Sequence, residues 1–179
     1  MSETIPRVRV NLHGPYVTIR ESNGTKPETV LLAVGSTDRD RTDELAEAAV
    51  ALAGPAGATV KLLHVFDREE YRAVREDLDV DPDSEHTPDT VAKRYVTIRD
   101  LGDALEAAGV NVTWNGRLGG RDEGIVEFAE EEDVDLIIVG GRRWSPSGKA
   151  VFGSTAQAVM PNAPCPVTFV RVDDGSDEE

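Results

Sequence analysis

Cysteine, lysine, aromatic residues and long apolar runs are all scarce in this sequence, and each shortage excludes something. Cys165 is the only cysteine among 179 residues, so no internal disulfide can form. The histidines, His13, His64 and His86, are scattered and give no zinc-ligand spacing, so a metal enzyme is not expected. No segment approaches the roughly 18 consecutive apolar residues of a membrane helix, and residues 1–5 have neither the basic flank nor the apolar stretch of an export signal. A cytoplasmic protein is therefore expected, and the sequons at Asn23 and Asn111 carry no sugar. Lysine occurs only at Lys26, Lys61, Lys93 and Lys149.

Acids, by contrast, abound: 34 Asp and Glu face 19 Lys and Arg, a formal net charge of −15. Nucleic acid and anionic membranes are disfavoured as partners, because both require a basic face. A composition rich in Asp and poor in Lys suits a salt-loving cytoplasm, where a Debye length of about 3 Å in molar salt screens self-repulsion. An ordinary acidic mesophile protein is the alternative. Hydrophobic residues still make up 39% and fall in blocks, so the chain can bury a core rather than remain disordered.

Those blocks alternate in type. Val30–Val34, Thr59–Val65, Val110–Trp114, Val134–Val139 and Val167–Val172 read as five short, mostly apolar strands. Between them, helices are expected over Asp40–Leu52, Thr90–Ala108, Glu123–Glu132 with Asp122 as cap, and Ser154–Met160. Residues 68–88 read as a short helix followed by an acidic surface loop. This order predicts an α/β domain over residues 29–172, an open five-stranded parallel sheet with helices on both faces. If the strand order is 3-2-1-4-5, strands one and four adjoin where the order reverses, and the ligand crevice lies at their carboxyl ends. The loops Gly35–Asp38 and Gly140–Gly153 then face each other across it.

Residues 1–28 are an extension. Arg7–Leu12 and Tyr16–Arg20 each alternate apolar with polar around His13-Gly14-Pro15, which reads as a β-hairpin, with a frayed terminus as the alternative. Residues 173–179 read as an acidic disordered tail. The last strand would be a bare apolar edge, and pairing with a second copy is an economical way to cover it, so a homodimer through Val167–Val172 is expected.

The most informative segment runs from Gly140 to Ser154. Arg142, Arg143 and Lys149 gather between a strand end and a helix start, beside Gly140-Gly141 and Gly153-Ser154. Glycines admit a close backbone approach, a helix start offers free N–H groups, and the cations add charge-assisted bonds, so a small phosphorylated ligand is the expected partner. Surface pairing of the arginines with acids is the bland alternative. The segment is not a P-loop: six residues separate Gly141 from Gly148-Lys149 where four are needed, and Ala150 replaces the magnesium-binding hydroxyl.

Val30-Leu31-Leu32-Ala33-Val34-Gly35-Ser36, Leu62-Leu63-His64-Val65, the run Asp135–Gly140 and Ala163-Pro164-Cys165-Pro166-Val167 together resemble the universal stress protein family, UspA-like, from Thr29 to Val172. With the salt-adapted composition they suggest a haloarchaeal member. Nucleotide-binding members carry Gly, two residues, Gly, nine residues, then Gly-Ser or Gly-Thr. Here Gly140 leads to Arg143 in place of the second glycine, and nine residues later to Gly153-Ser154. The resemblance implies an adenine nucleotide alpha hydrolase-like fold and a stress-response regulatory role, with ATP or AMP bound between strands one and four. By position it implies that Ala33, Val34 and Gly35 line the sugar and base, and that Val65 meets adenine through its backbone. Gly140, Arg142, Arg143, Gly153, Ser154 and Thr155 would hold the phosphates. The aspartate often found after strand one is Gly35 here, with Asp38 as a substitute. Arg143 either contacts phosphate or fills the pocket, and the latter would give a dimeric interaction protein that binds no nucleotide.

No nucleophile elbow, general base or metal pair is evident, so catalysis beyond slow ATP hydrolysis is not expected. His64 reads as a satisfied core histidine and Cys165 as a small buried hydrophobe. The loop from Arg117 to Arg121 reads as a plain turn, with ligand closure as the alternative.

Overall fold

The computed structural model describes residues 9–11, 16–20, 26–79, 81, 86–141 and 153–170. Strands β1 (Arg9–Asn11), β2 (Tyr16–Arg20), β3 (Thr29–Ala33), β4 (Thr59–Phe66), β5 (Asn111–Leu118), β6 (Leu136–Gly140) and β7 (Val167–Val170) form one sheet in the order β1-β2-β7-β6-β3-β4-β5. From β5 to β7 all pairings are parallel, so the domain's own five strands have the order 3-2-1-4-5 expected for this fold. The helices are α1 (Thr42–Ala53), α2 (Arg68–Asp77), α3 (Pro88–Arg94), α4 (Val96–Ala107), α5 (Arg121–Glu131) and α6 (Ser154–Val159), and a 3-10 turn covers Ser36–Arg41. Among the described residues no helix is long and apolar enough to cross a membrane.

Strands β3 and β6 at the centre are apolar along almost their whole length because both their faces are covered. Along β3, Val30 and Leu32 join a core with Leu45, Ala49, Ile98 and Leu101 of α1 and α4. Leu31 and Ala33 point the other way, into a core with Ile125 and Phe128 of α5 and Val159 of α6. β6 alternates in the same way, Leu136 and Ile138 against Ile137 and Val139. Asp135, the polar residue at its start, accepts the amides of Glu28 and Thr29 at 2.8 and 3.0 Å and so fixes the entry of β3 beside β6.

Several expected boundaries are corrected. The helix expected over 90–108 is two, because Tyr95 is extended (φ −66°, ψ 126°). Its ring packs against His64 and Phe66, which a continuous helix would not allow. β5 continues past Trp114 to Leu118, since an edge strand needs only backbone pairing with β4 and tolerates the polar Asn115 and Arg117. Gly116 lets α3 press on it: an added β-carbon would stand 2.1 Å from the Pro88 carbonyl oxygen, and the Gly116 amide donates to Asp89 at 2.7 Å. Helix α5 starts at Arg121 with Gly120 as its N-cap, so Asp122 lies inside the first turn rather than capping it.

The N-terminal extension forms a hairpin. β1 pairs antiparallel with β2, and β2 pairs antiparallel with β7 from Tyr16↔Val170 to Ile19↔Val167. This corrects the reasoning that led to a dimer through residues 167–172: the β7 edge is occupied within the chain, and the strand left outermost is three residues long. Arg171, Val172 and the tail at 173–179 lie outside the described residues. Deleting residues 1–25 should bare β7, and sedimentation velocity should then show stronger concentration-dependent self-association than in the full chain. An unchanged sedimentation coefficient would mean that this edge is protected in another way.

Candidate functional site

A cleft opens at the carboxyl ends of β3, β4 and β6, where the strand order reverses. It encloses about 150 Å³, against the roughly 10–15 Å³ that one water needs, which suits an organic ligand. Ala33, Val34, Gly35, Val65, Gly140, Gly153, Ser154 and Thr155 all line it. Two further residues singled out for phosphate, Arg142 and Arg143, lie outside the described residues, as do Trp144 and Lys149. Sequence reasoning missed the apolar walls Leu63, Ile125 and Val139 and the cation Arg41, and it held Arg121 only as part of the alternative, ligand-closing reading of the loop from Arg117 to Arg121. The walls read as core in any strand or helix pattern. Arg41 sits at the start of a helix, where nothing in the sequence marks it as facing inward.

The rim is built around Asp38, which is only 6% exposed. Its carboxylate accepts the Gly35 amide at 2.7 Å and pairs with Arg41 Nε at 3.2 Å. Arg41 Nη1 then donates to the Gly141 carbonyl at 2.5 Å, tying the loop after β3 to the loop after β6. Burial raises the Asp38 pKa above its ordinary value, opposed by the Gly35 amide and the Arg41 charge. Gly140 fits this arrangement, because a β-carbon there would stand 2.5 Å from Asp38 Oδ1 and the carboxylate would have to shift.

On the β4 side, Arg121 enters the cleft from the first residue of α5. Its Nη2 donates to Ser36 Oγ at 3.3 Å and lies 3.6 Å from Glu70 Oε2. The turn from Arg117 to Arg121 therefore does contribute to the cleft, through its last residue alone. Arg117 instead pairs with Glu127 and Glu131 of α5.

His64 is fully buried, its Nε2 3.0 Å from Glu70 Oε1 and its ring tilted against Phe66 and Tyr95; it is the core histidine expected, but satisfied on one side only, since Nδ1 has no hydrogen-bond partner among the described residues. Cys165 is half-buried against the α5–α6 core, and burial, helped by Asp135, pushes its thiol up to about 12, which disfavours the thiolate. Among the described residues no group of three or more His, Cys, Asp or Glu is placed to hold a metal ion.

A sequence model described as the universal stress protein family matches residues 27–171. The chain belongs to the universal stress protein family. A universal stress protein of Thermus aquaticus, encoded in a QAH/OAS sulfhydrylase 3′ region, is 43% identical over 49 residues, 27% of this chain and 36% of that relative. The alignment thus spans about a third of the relative's length. The universal stress protein structure from Archaeoglobus fulgidus superposes with a TM-score of 0.58 at 23% identity, covering 80% of this chain and 98% of that one. An Archaeoglobus fulgidus universal stress protein in complex with dAMP gives a TM-score of 0.55 at 18% identity, covering 82% and 100%. Both likenesses establish the fold.

Burial is the larger influence on His64 and lowers its pKa below the ordinary 6.5, while Glu70 and the Val34 carbonyl act in the opposite direction. The unfolded chain takes up this proton as pH falls through 6.5 and the folded one does not until lower pH, so acidification costs stability. Denaturant midpoints should fall between about pH 7.5 and 5.5, and fall less in His64→Gln. Equal pH slopes for the two proteins would show the imidazole charging in place.

Proposed function

We propose that this universal stress protein is a cytoplasmic stress-response regulator that binds an adenine nucleotide in the cleft. The observation that carries the reading is the cleft's mixed lining. Leu63, Val65, Ile125 and Val139 offer apolar walls for a flat base, while Arg121 and the hydroxyls of Ser154 and Thr155 offer charge and hydrogen bonds to a phosphorylated sugar. Backbone supply points the same way. The amides of Val34, Gly35 and Gly141 are already used by Leu63, Asp38 and Val170, whereas α6 begins at an N-cap, Gly153, with no side-chain cap bond. The dAMP bound by the Archaeoglobus relative supports an adenine ligand.

ATP and AMP are both candidates, and the site positions are those named from the sequence: Ala33, Val34, Gly35 and Val65 for base and sugar, and Gly140, Arg142, Arg143, Gly153, Ser154 and Thr155 for phosphate. Asp38, the carboxylate that lines the cleft among the described residues, is spent on the Gly35 amide and Arg41, and occupancy of the site, rather than turnover, is the signal we assign to it. Isothermal titration in high salt should show heat with ATP, ADP or AMP, and none with any of them would reject the reading. Arg143→Gly separates the two roles open to that residue: weaker binding means a direct phosphate contact, and tighter binding means that the arginine obstructs the site.

A further inference from the structure

We propose that Arg121 receives the ligand's anionic group in the cleft and that Glu70 is its built-in competitor for that guanidinium. The inference rests on the ligand-binding reading of the cleft, which it deepens by naming the charged contact. The cleft's two described arginines are held very differently. Arg41 is 18% exposed and spent on the protein itself, through Asp38 at 3.2 Å and the Gly141 carbonyl at 2.5 Å. Arg121 is 38% exposed, and both its contacts are long: Ser36 Oγ at 3.3 Å and Glu70 Oε2 at 3.6 Å, the latter beyond hydrogen-bond range. Nη1 of Arg121 lies toward Gly35, 3.8 Å from where a β-carbon would stand, so the guanidinium overhangs the end of β3. A phosphoryl group offers it paired, short, charge-assisted bonds that its present partners do not.

Glu70 makes that exchange selective. Its side chain is 17% exposed, Oε1 is committed to His64, and Oε2 is buried with no hydrogen-bond partner, leaving Arg121 as the cation that compensates it. Drawing Arg121 away strands a buried carboxylate oxygen, a cost that falls on any anion entering the cleft and on no neutral ligand. A multiply charged phosphoryl group can offset it, while a weak single charge gains less than it costs. Glu70 thus sets a threshold that only a strong anion passes.

The test is isothermal titration of the full chain and of Glu70→Gln, Arg121→Gln, Arg121→Lys and the Glu70→Gln/Arg121→Gln double variant. The probes are AMP, adenosine and tripolyphosphate at one fixed salt concentration, with thermal melts to verify folding. Glu70→Gln keeps a hydrogen-bonding partner for His64 while removing the competing charge. It should tighten AMP and tripolyphosphate by roughly three- to tenfold and leave adenosine unchanged. Arg121→Gln should weaken both anions by about tenfold or more, Arg121→Lys should recover part of that loss, and the double variant should behave as Arg121→Gln. Unchanged anion affinity in Glu70→Gln, or an equal effect of Arg121→Gln on adenosine and AMP, would overturn the inference. Adenosine binding without tripolyphosphate binding in any variant would overturn it while sparing the adenine reading. The expected variant pattern with tripolyphosphate, but no binding of adenosine or AMP, would uphold it and reject the adenine reading. No binding of any probe would reject both.

Discussion

Asp38 accepts the Gly35 amide and pairs with Arg41, and Arg41 donates to the Gly141 carbonyl, so one buried carboxylate joins the loop after β3 to the loop after β6. Burying such a charge is costly unless it is paired and hydrogen-bonded, and this one is both. The cleft depends on that link, because β3 and β6 are neighbours whose following helices pack on opposite faces of the sheet, and the chain parts between them. Gly140 is bound into the same constraint, because a β-carbon added there would stand 2.5 Å from Asp38 Oδ1. The polar rim is thus a network in which Asp38 and Arg41 shape the opening and Arg121 stands exposed beside it.

The sheet's two edges are managed by different means. At one end β5 carries Asn115 and Arg117, is half-buried along most of its length, and is overlaid by α3 at Gly116. At the other end β7 is apolar and buried, which is tenable because β2 completes its ladder and β1 leaves a short outer strand. A chain of net charge −15 has little else with which to hold copies apart at such an edge once salt screens that charge. Backbone pairing within the chain works at any ionic strength.

Most of the fold was legible in the sequence because it rests on local patterns. Fully apolar blocks such as residues 30–34 and 136–139 signal strands covered on both sides, and, once the strand order is given, the glycine-marked loops after the first and fourth of them mark the crevice. The single helix expected over 90–108 failed because Tyr95 is drawn out of helical geometry by His64 and Phe66, both remote in sequence. The strand expected to stop at Trp114 continued because pairing with β4 does not depend on side-chain polarity.

The candidate site divides in the same way. Gly140, Gly153, Ser154 and Thr155 could be named in advance from the glycine loop between a strand end and a helix start, whereas Ala33, Val34, Gly35 and Val65 came mostly from the family resemblance. Arg41 could not be named, since an arginine at the start of a helix is ordinarily a surface residue, and Arg121 entered only through the ligand-closing alternative for its glycine loop. The sequence alone determined the strands, the helices and the layered parallel sheet, because periodicity and connection length are local properties, while the strand order and the crevice it creates followed from the family resemblance and are seen in the pairing. Only the tertiary structure decided which charges face that crevice and which strand closes the β7 edge. Those outcomes turn on contacts such as Arg121 with Ser36 and Glu70, or Ile19 with Val167, between residues far apart in the chain.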